Sequence, residues 1–297
     1  MWRIFRVVVM AGLGAVACLP TDADASQAVA EDRVVLLDRH LLADAQILFY
    51  SARYDAAAAL TLALRSSESE DLTADLAAYE LRTSALLFQL KGALGDRPDK
   101  EKTLKLCVTC PELMAAFLSD TGAGQALARA RLRTNPGDEM ALFFLGKIDL
   151  NYVWMQLGTL GRKTGWDQYW EARRSLDAVL KRNPRHVRAR VARAWIDYIV
   201  DTRMPRGTRW VLGGGSKKRA LLAVREAAST EADVFIHAEA EFALWDMQVR
   251  ERNLTEATAI ARRLARDFPE NRELVNFLEA HNPSLRPSAG ESHGCRE

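Results

Sequence analysis

After Gln27, apolar residues return along almost the whole chain at spacings of three and four, and alternating β-branched runs are few. Such spacing puts the apolar side chains on one stripe of an α-helix. It predicts helices near 31–52, 54–66, 72–94, 111–119, 123–134, 138–157, 167–182, 186–201, 216–228, 234–251, 254–267 and 271–280. Asn135-Pro136, Asn183-Pro184 and Phe268-Pro269 each close one apolar segment just before another begins, because the residue ahead of a proline is pushed out of the helical region. Two stretches are rich in breakers: 92–105, and 204–215 with one Pro and four Gly. The expected organisation is a signal peptide over 1–25, an N-terminal helical segment over 26–105, a helical repeat domain over 106–281 and a polar, disordered tail over 282–297.

The helical segments repeat one another. Ala172, Leu176 and Val179 stand 12, 8 and 5 positions before Pro184; Ala257, Ala261 and Leu264 stand at the same offsets before Pro269. Ala220, Val224 and Ala227 keep that spacing ahead of Ala232. A small residue lets a second helix approach the first closely, and the apolar positions one and two turns on fill the seam. Upstream, Leu145-Gly146 and Ala194 are the matching contacts of two first helices. Gly146 to Ala172 and Ala194 to Ala220 are both 26 residues, so these two units repeat at 48.

At these residues, and at Arg53-Tyr54-Asp55-Ala56 with Leu60 and Ala63, the chain resembles the tetratricopeptide-repeat family, although the two units are longer than that motif of about 34 residues. The resemblance covers about two thirds of the chain that follows the signal peptide. It implies an all-α fold of stacked antiparallel helix pairs in a TPR-like right-handed superhelix, with two elongated repeat units and a concave ligand surface. Met204-Pro205, Gly213-Gly214-Gly215 and the stretch from Ser216 to Ala220 also resemble the periplasmic T-components of tripartite (TRAP) transport systems over about 40 residues. That resemblance implies an accessory, solute-handling role in transport.

Composition narrows the picture. The 297 residues are 48% hydrophobic, enough for a sizeable core, and the net charge of +2 is too small for a general nucleic-acid or membrane-surface role. Arg3 and Arg6, the apolar run Val7 to Ala17, Pro20 and Ala23-Asp24-Ala25 read as a secretory signal cleaved after Ala25. The run is shorter than the ~20 residues of a bilayer-spanning helix, so no transmembrane segment is expected in the mature chain. Gly14-Ala15-Val16-Ala17-Cys18 offers the alternative of a lipid anchor at Cys18 and attachment to the outer membrane. Either way the expected location is periplasmic or secreted.

Export alters how the cysteines read. Cys107 and Cys110 form a Cys-x-x-Cys pair for which an oxidising compartment favours a local disulfide, with reactive thiols or a metal as alternatives. Pro111 in place of His rules out haem attachment, and a structural zinc lacks two further ligands. Cys295 lies in the polar tail.

Charge is uneven. From Arg162 to Arg225 there are 17 Lys and Arg against 5 Asp and Glu, interleaved with Trp166, Tyr169, Trp170, Trp195, Tyr198 and Trp210. Arg203, Arg206 and Arg209 on the Gly-bearing loop, Lys217 and Lys218 at the following helix start, and Trp166, Trp170 and Trp210 are the ligand-binding candidates. The opposing reading is Trp and Tyr packed between helices under a solvated Arg face, with Arg193 and Asp197 pairing along one helix. Gly161-Arg162-Lys163-Thr164 lacks the rest of a phosphate loop, and the five histidines show no metal-ligand spacing. With no catalytic constellation, cofactor or metal in view, the expectation is a non-enzymatic scaffold that binds a protein partner or anionic ligand.

Overall fold

The computed structural model describes residues 40–65, 72–95 and 97–281, and every regular element among them is helical. In chain order these are α1 (40–50), α2 (Tyr54–Arg65), α3 (Leu72–Leu94), α4 (Lys100–Leu106), α5 (Cys110–Thr134) and α6 (Glu139–Val153). Then follow α7 (Trp166–Arg182), α8 (Val187–Arg203), α9 (Lys217–Ala228), α10 (Val234–Arg250), α11 (Leu254–Asp267) and α12 (Arg272–Ala280). The segment expected to be a signal peptide, with Cys18, and the tail with Cys295 lie outside the described residues.

Polar residues set most of the starts. Asp99, Asp138, Ser216, Asp233 and Asn271 each accept a hydrogen bond from a first-turn amide of the helix they precede. In three places the helices differ from the sequence pattern. The breaker-rich stretch 92–105 contains α4, which Asp99 caps. The two helices expected at 111–119 and 123–134 are one, α5, because Gly124 serves packing and does not terminate. A Cβ there would lie 2.8 Å from Ile148 Cδ1 and 3.0 Å from Tyr79 Cβ, so glycine lets α3, α5 and α6 meet. Past Val153, α6 widens into a π-helical turn, Trp154–Thr159, instead of running on regularly to 157.

Helices adjacent in sequence pack on each other, α6 with α7, α8 with α9 and α10 with α11 among them. All nine seam residues of the repeat are buried. At Gly146 a Cβ would come within 2.9 Å of Leu176 Cγ and 3.4 Å of the Ala172 carbonyl oxygen, so the small residue of α6 does meet the seam of α7. Burying a Leu or Val side chain contributes roughly 1.5–3 kcal/mol, and the seams hold such residues in each pair.

The cores run across the pairs. One joins Leu76 of α3 and Ala128 of α5 to Phe143, Leu176 and Ile196 of α6, α7 and α8. A second takes Tyr198, Val224, Met247, Ile260 and Leu274 from α8 to α12. A third combines Ala57, Leu90 and Phe117 with Met155 of the π turn. The helices before residue 105 therefore share their cores with those that follow. The first helix also touches the last ones. Tyr50 stacks on Phe242 at 5.4 Å and 18°, and its carbonyl oxygen accepts from Asn271 Nδ2 at 2.7 Å. Nearby, Tyr54 Oη donates to Glu273 Oε1 at 3.2 Å.

Candidate functional site

Two groups of cations stand out, and they differ in how they are matched. The inner group lies between α3, α6, α8 and α10. Lys147 Nζ is 2.5 Å from Glu239 Oε1 and 3.4 Å from Glu80 Oε1, while Arg188 Nη2 is 3.1 Å from Glu80 Oε2 and its Nε bonds Glu239. Two cations face two carboxylates, so the charge closes on itself. Burial alone would raise the Glu239 carboxyl, but Arg188 and Lys147 hold it down at about 2. Burial likewise opposes the Arg188 charge, and Glu239 and Glu80 more than restore it. Tyr50 also adjoins this cluster, and its hydroxyl is pushed well up by burial and by Glu239.

The outer group belongs to the basic segment 162–225. Much of its excess in the linear count is met by carboxylates from elsewhere in the chain: Arg162 by Glu101, Arg188 by Glu80 and Glu239, Lys217 by Glu251 and Arg225 by Glu256. Four further arginines of the segment line a cleft of about 540 Å³ between α7, α8 and the start of α9. Leu180, Ala194, Ala220 and Ala223 give it small apolar surface; Arg173, Arg190, Arg193 and Arg219 line it with Asp197. Arg190, Arg193 and Asp197 are three and four apart on α8 and so share a face. Arg193 Nη1 lies 2.6 Å from Asp197 Oδ1 and Nε is 2.7 Å from Asp177 Oδ1, whereas Arg190 reaches out to the exposed Glu226. Arg219 is exposed and has no ion pair among the described residues.

One wall of the cleft is the Gly-bearing loop, and α7 fixes its position. Arg173 donates to the Leu212 carbonyl at 3.0 Å and to the Gly213 carbonyl at 2.8 Å, and Tyr169 Oη donates to Leu212 at 2.8 Å. Gly213 and Gly214 take φ of +79° and +73°, a region that favours glycine. At Gly215 a Cβ would sit 2.5 Å from the Asp197 carbonyl oxygen, so the loop rests directly on the α8 backbone.

The residues singled out from sequence are distributed more widely than a single groove. Arg209 pairs with Asp201 and donates to the Met204 carbonyl, and Lys217 bonds Glu251 at 2.7 Å, so these two are held by the chain itself. Arg203, Arg206 and Lys218 are exposed and make no ion pair among the described residues. Trp170 packs edge-to-face on Tyr169 at 5.2 Å, and Trp166 donates from Nε1 to the Lys163 carbonyl while facing the apolar gap beneath Leu212. Trp210 is 78% exposed on the loop. Arg173, Arg190 and Arg219 escaped the sequence reading, although the shared face on α8 and the repeat contacts Ala194 and Ala220 were signals that could have pointed to them; Arg193 entered it as the partner of Asp197, and that pair forms.

Two other features carry chemistry. Cys107 and Cys110 form a disulfide across a sequence separation of three. By chain entropy so short a closure contributes only about 2 kcal/mol, less than half of what a loop of about a hundred residues contributes. Asp149 of α6 is buried, accepts from Gln125 Nε2 at 2.6 Å and has no donor to its Oδ2. Burial first, and then the neighbouring Glu171 carboxylate, push its pKa up to about 8. Arg129 pairs with Glu171 and holds that partner's pKa down, so the proton rests on Asp149. No group of three or more His, Cys, Asp or Glu with metal-binding arrangement occurs among the described residues, and no helix there is long and apolar enough to cross a membrane.

The fold and site together describe an all-helical protein with an open cationic cleft. The chain matches no family model, no curated protein and no solved structure.

Proposed function

We propose that this protein is an exported, non-enzymatic TPR-like scaffold that captures an acidic segment of a protein partner in the cleft between α7, α8 and α9. The observation that carries the reading is the lining itself: four arginines and one aspartate around small apolar side chains, in an open space of about 540 Å³. Guanidinium groups pair bidentately with carboxylates, and the alanines leave room for aliphatic stems. Guanidinium also stays protonated near neutral pH, which suits it to holding an anion and not to moving protons. The repeated small-residue contacts of α6 with α7 support the TPR-like reading of the helix pairs.

The inner faces of α6, α8 and α10 do not favour a ligand, since Lys147 and Arg188 are already satisfied by Glu80 and Glu239. The test is fluorescence anisotropy with a labelled Glu-rich peptide and a Gln-rich control of equal length. Arg190→Ala with Arg219→Ala should weaken the acidic peptide at least tenfold, about 1.4 kcal/mol, while lowering the melting temperature by no more than a few degrees. Affinity should also fall with added salt. Equal binding of both peptides, or an unaltered affinity in a folded double variant, would refute the reading.

A further inference from the structure

The Cys107–Cys110 disulfide contributes little to holding the fold. It links the C-terminal end of α4 to the first residue of α5, and closing so few residues removes little freedom from the unfolded chain. Its two sulfurs are unequal: Cys110 is fully buried in a core with Leu90 and Phe117, while Cys107 is only partly covered. Thr109, the residue before α5, makes no side-chain bond to the helix start; its Oγ1 instead lies 3.7 Å from Cys107 Sγ. The first turn of this 25-residue helix has no side-chain cap; Pro111 lacks an amide and Leu113 N already bonds the Thr109 carbonyl, so the amides of Cys110 and Glu112 are the ones left without a helix partner where the sulfur pair sits. On either side of Cys107, Leu106 is 68% exposed and Val108 is 91% exposed, two apolar side chains held in solvent beside the disulfide.

We propose that Cys107–Cys110 is a thiol–disulfide exchange site that oxidises a pair of cysteines in a polypeptide partner. A partner thiolate attacks Cys107 Sγ, the accessible sulfur; the Cys107–Cys110 bond breaks and its electron pair leaves on Cys110, where the first-turn amides of α5 favour a thiolate. The partner's second thiolate then attacks the partner sulfur of the mixed disulfide and releases Cys107. The partner ends as a disulfide, Cys107 and Cys110 end as thiols, and two electrons and two protons have moved between them. Exchange with any disulfide compound reverses the step and restores the bond. Leu106 and Val108 give the partner's backbone and apolar side chains a surface beside the attacked sulfur. This site is independent of the cationic cleft.

The test uses the oxidised full chain and a reduced peptide carrying two cysteines. The wild-type protein should oxidise the peptide stoichiometrically and at least tenfold faster than a Cys107→Ala, Cys110→Ala variant, with helical circular dichroism unchanged on reduction. Mixed with the disulfide form of the peptide, Cys110→Ser should accumulate an adduct that peptide mapping places on Cys107, which separates it from Cys18 and Cys295. Cys107→Ser should react at least tenfold more slowly. Val108→Asp should slow the peptide reaction several-fold and leave the reaction with glutathione unchanged. Wild-type protein that leaves the peptide reduced while keeping its own disulfide overturns the proposal, as do equal adduct rates for the two single variants.

Discussion

The cations between α3, α6, α8 and α10 and those around the cleft of α7, α8 and α9 come partly from the same helix, yet they live under opposite rules. Arg188 and Arg190 are two residues apart on α8. Arg188 points into a closed set of two cations and two carboxylates, whereas Arg190 turns out to an exposed Glu226 at the cleft. Buried charges must be matched, because an unpaired one leaves water at a cost of several kcal/mol. At the open cleft water serves as a partner, so Arg219 can stand without an ion pair and Arg190 with an exposed carboxylate that a ligand can replace. Buried matching therefore marks the structural charges, and exposed arginines with a replaceable partner or none mark the candidate site.

The comparison breaks most visibly on the inner side. Glu239→Ala leaves Lys147 and Arg188 with Glu80 alone and should cost about 3–5 kcal/mol, read as a lower urea midpoint. Arg190→Ala, in the same assay, should cost less than about 1 kcal/mol.

A buried carboxyl beside another carboxylate sharpens the rule, since here the match is a proton and not a cation. The folded pKa of Asp149, about 8, lies above its unfolded value of about 3.9. Its contribution to stability is then full below about pH 4 and is lost as pH rises through 8. Asp149→Asn should flatten this part of the profile and raise stability at pH 8 relative to wild type by on the order of a few kcal/mol, measured by urea melts between pH 5 and 9.

Packing provides the next effect. Gly146→Ala drives a methyl to 2.9 Å from Leu176 Cγ and should cost roughly 1–3 kcal/mol in the same melts. The smallest stability effect belongs to Arg219→Ala, within about 0.5 kcal/mol, although it should weaken an acidic peptide.

Local patterns were legible where local physics decides. The apolar period predicts 72–94 and 254–267, the spans of α3 and α11. Gly146, Ala172 and Leu176 form a contact that the repeat spacing implies. Glycine was harder to read: Gly124 marks a crossing of three helices, and nothing in its own neighbourhood of sequence distinguishes that role from a helix end. The linear charge count of 162–225 overstated the excess because Glu80, Glu101, Glu239, Glu251 and Glu256 come to it from other helices. Arg209 and Lys217, singled out from their place near a Gly turn, are held by Asp201 eight residues upstream and by Glu251 from the end of α10. The Tyr50–Asn271 bond, 221 residues apart, has no local signature.

The claim that exposed arginines mark the binding face is tested most directly by hydrogen exchange with and without the Glu-rich peptide. Slower exchange is expected at the amides of 190–194 and 213–220, with the inner segments around Lys147 and Glu239 unchanged. Protection centred on those inner segments, or no protection at a peptide concentration that saturates binding, would contradict it.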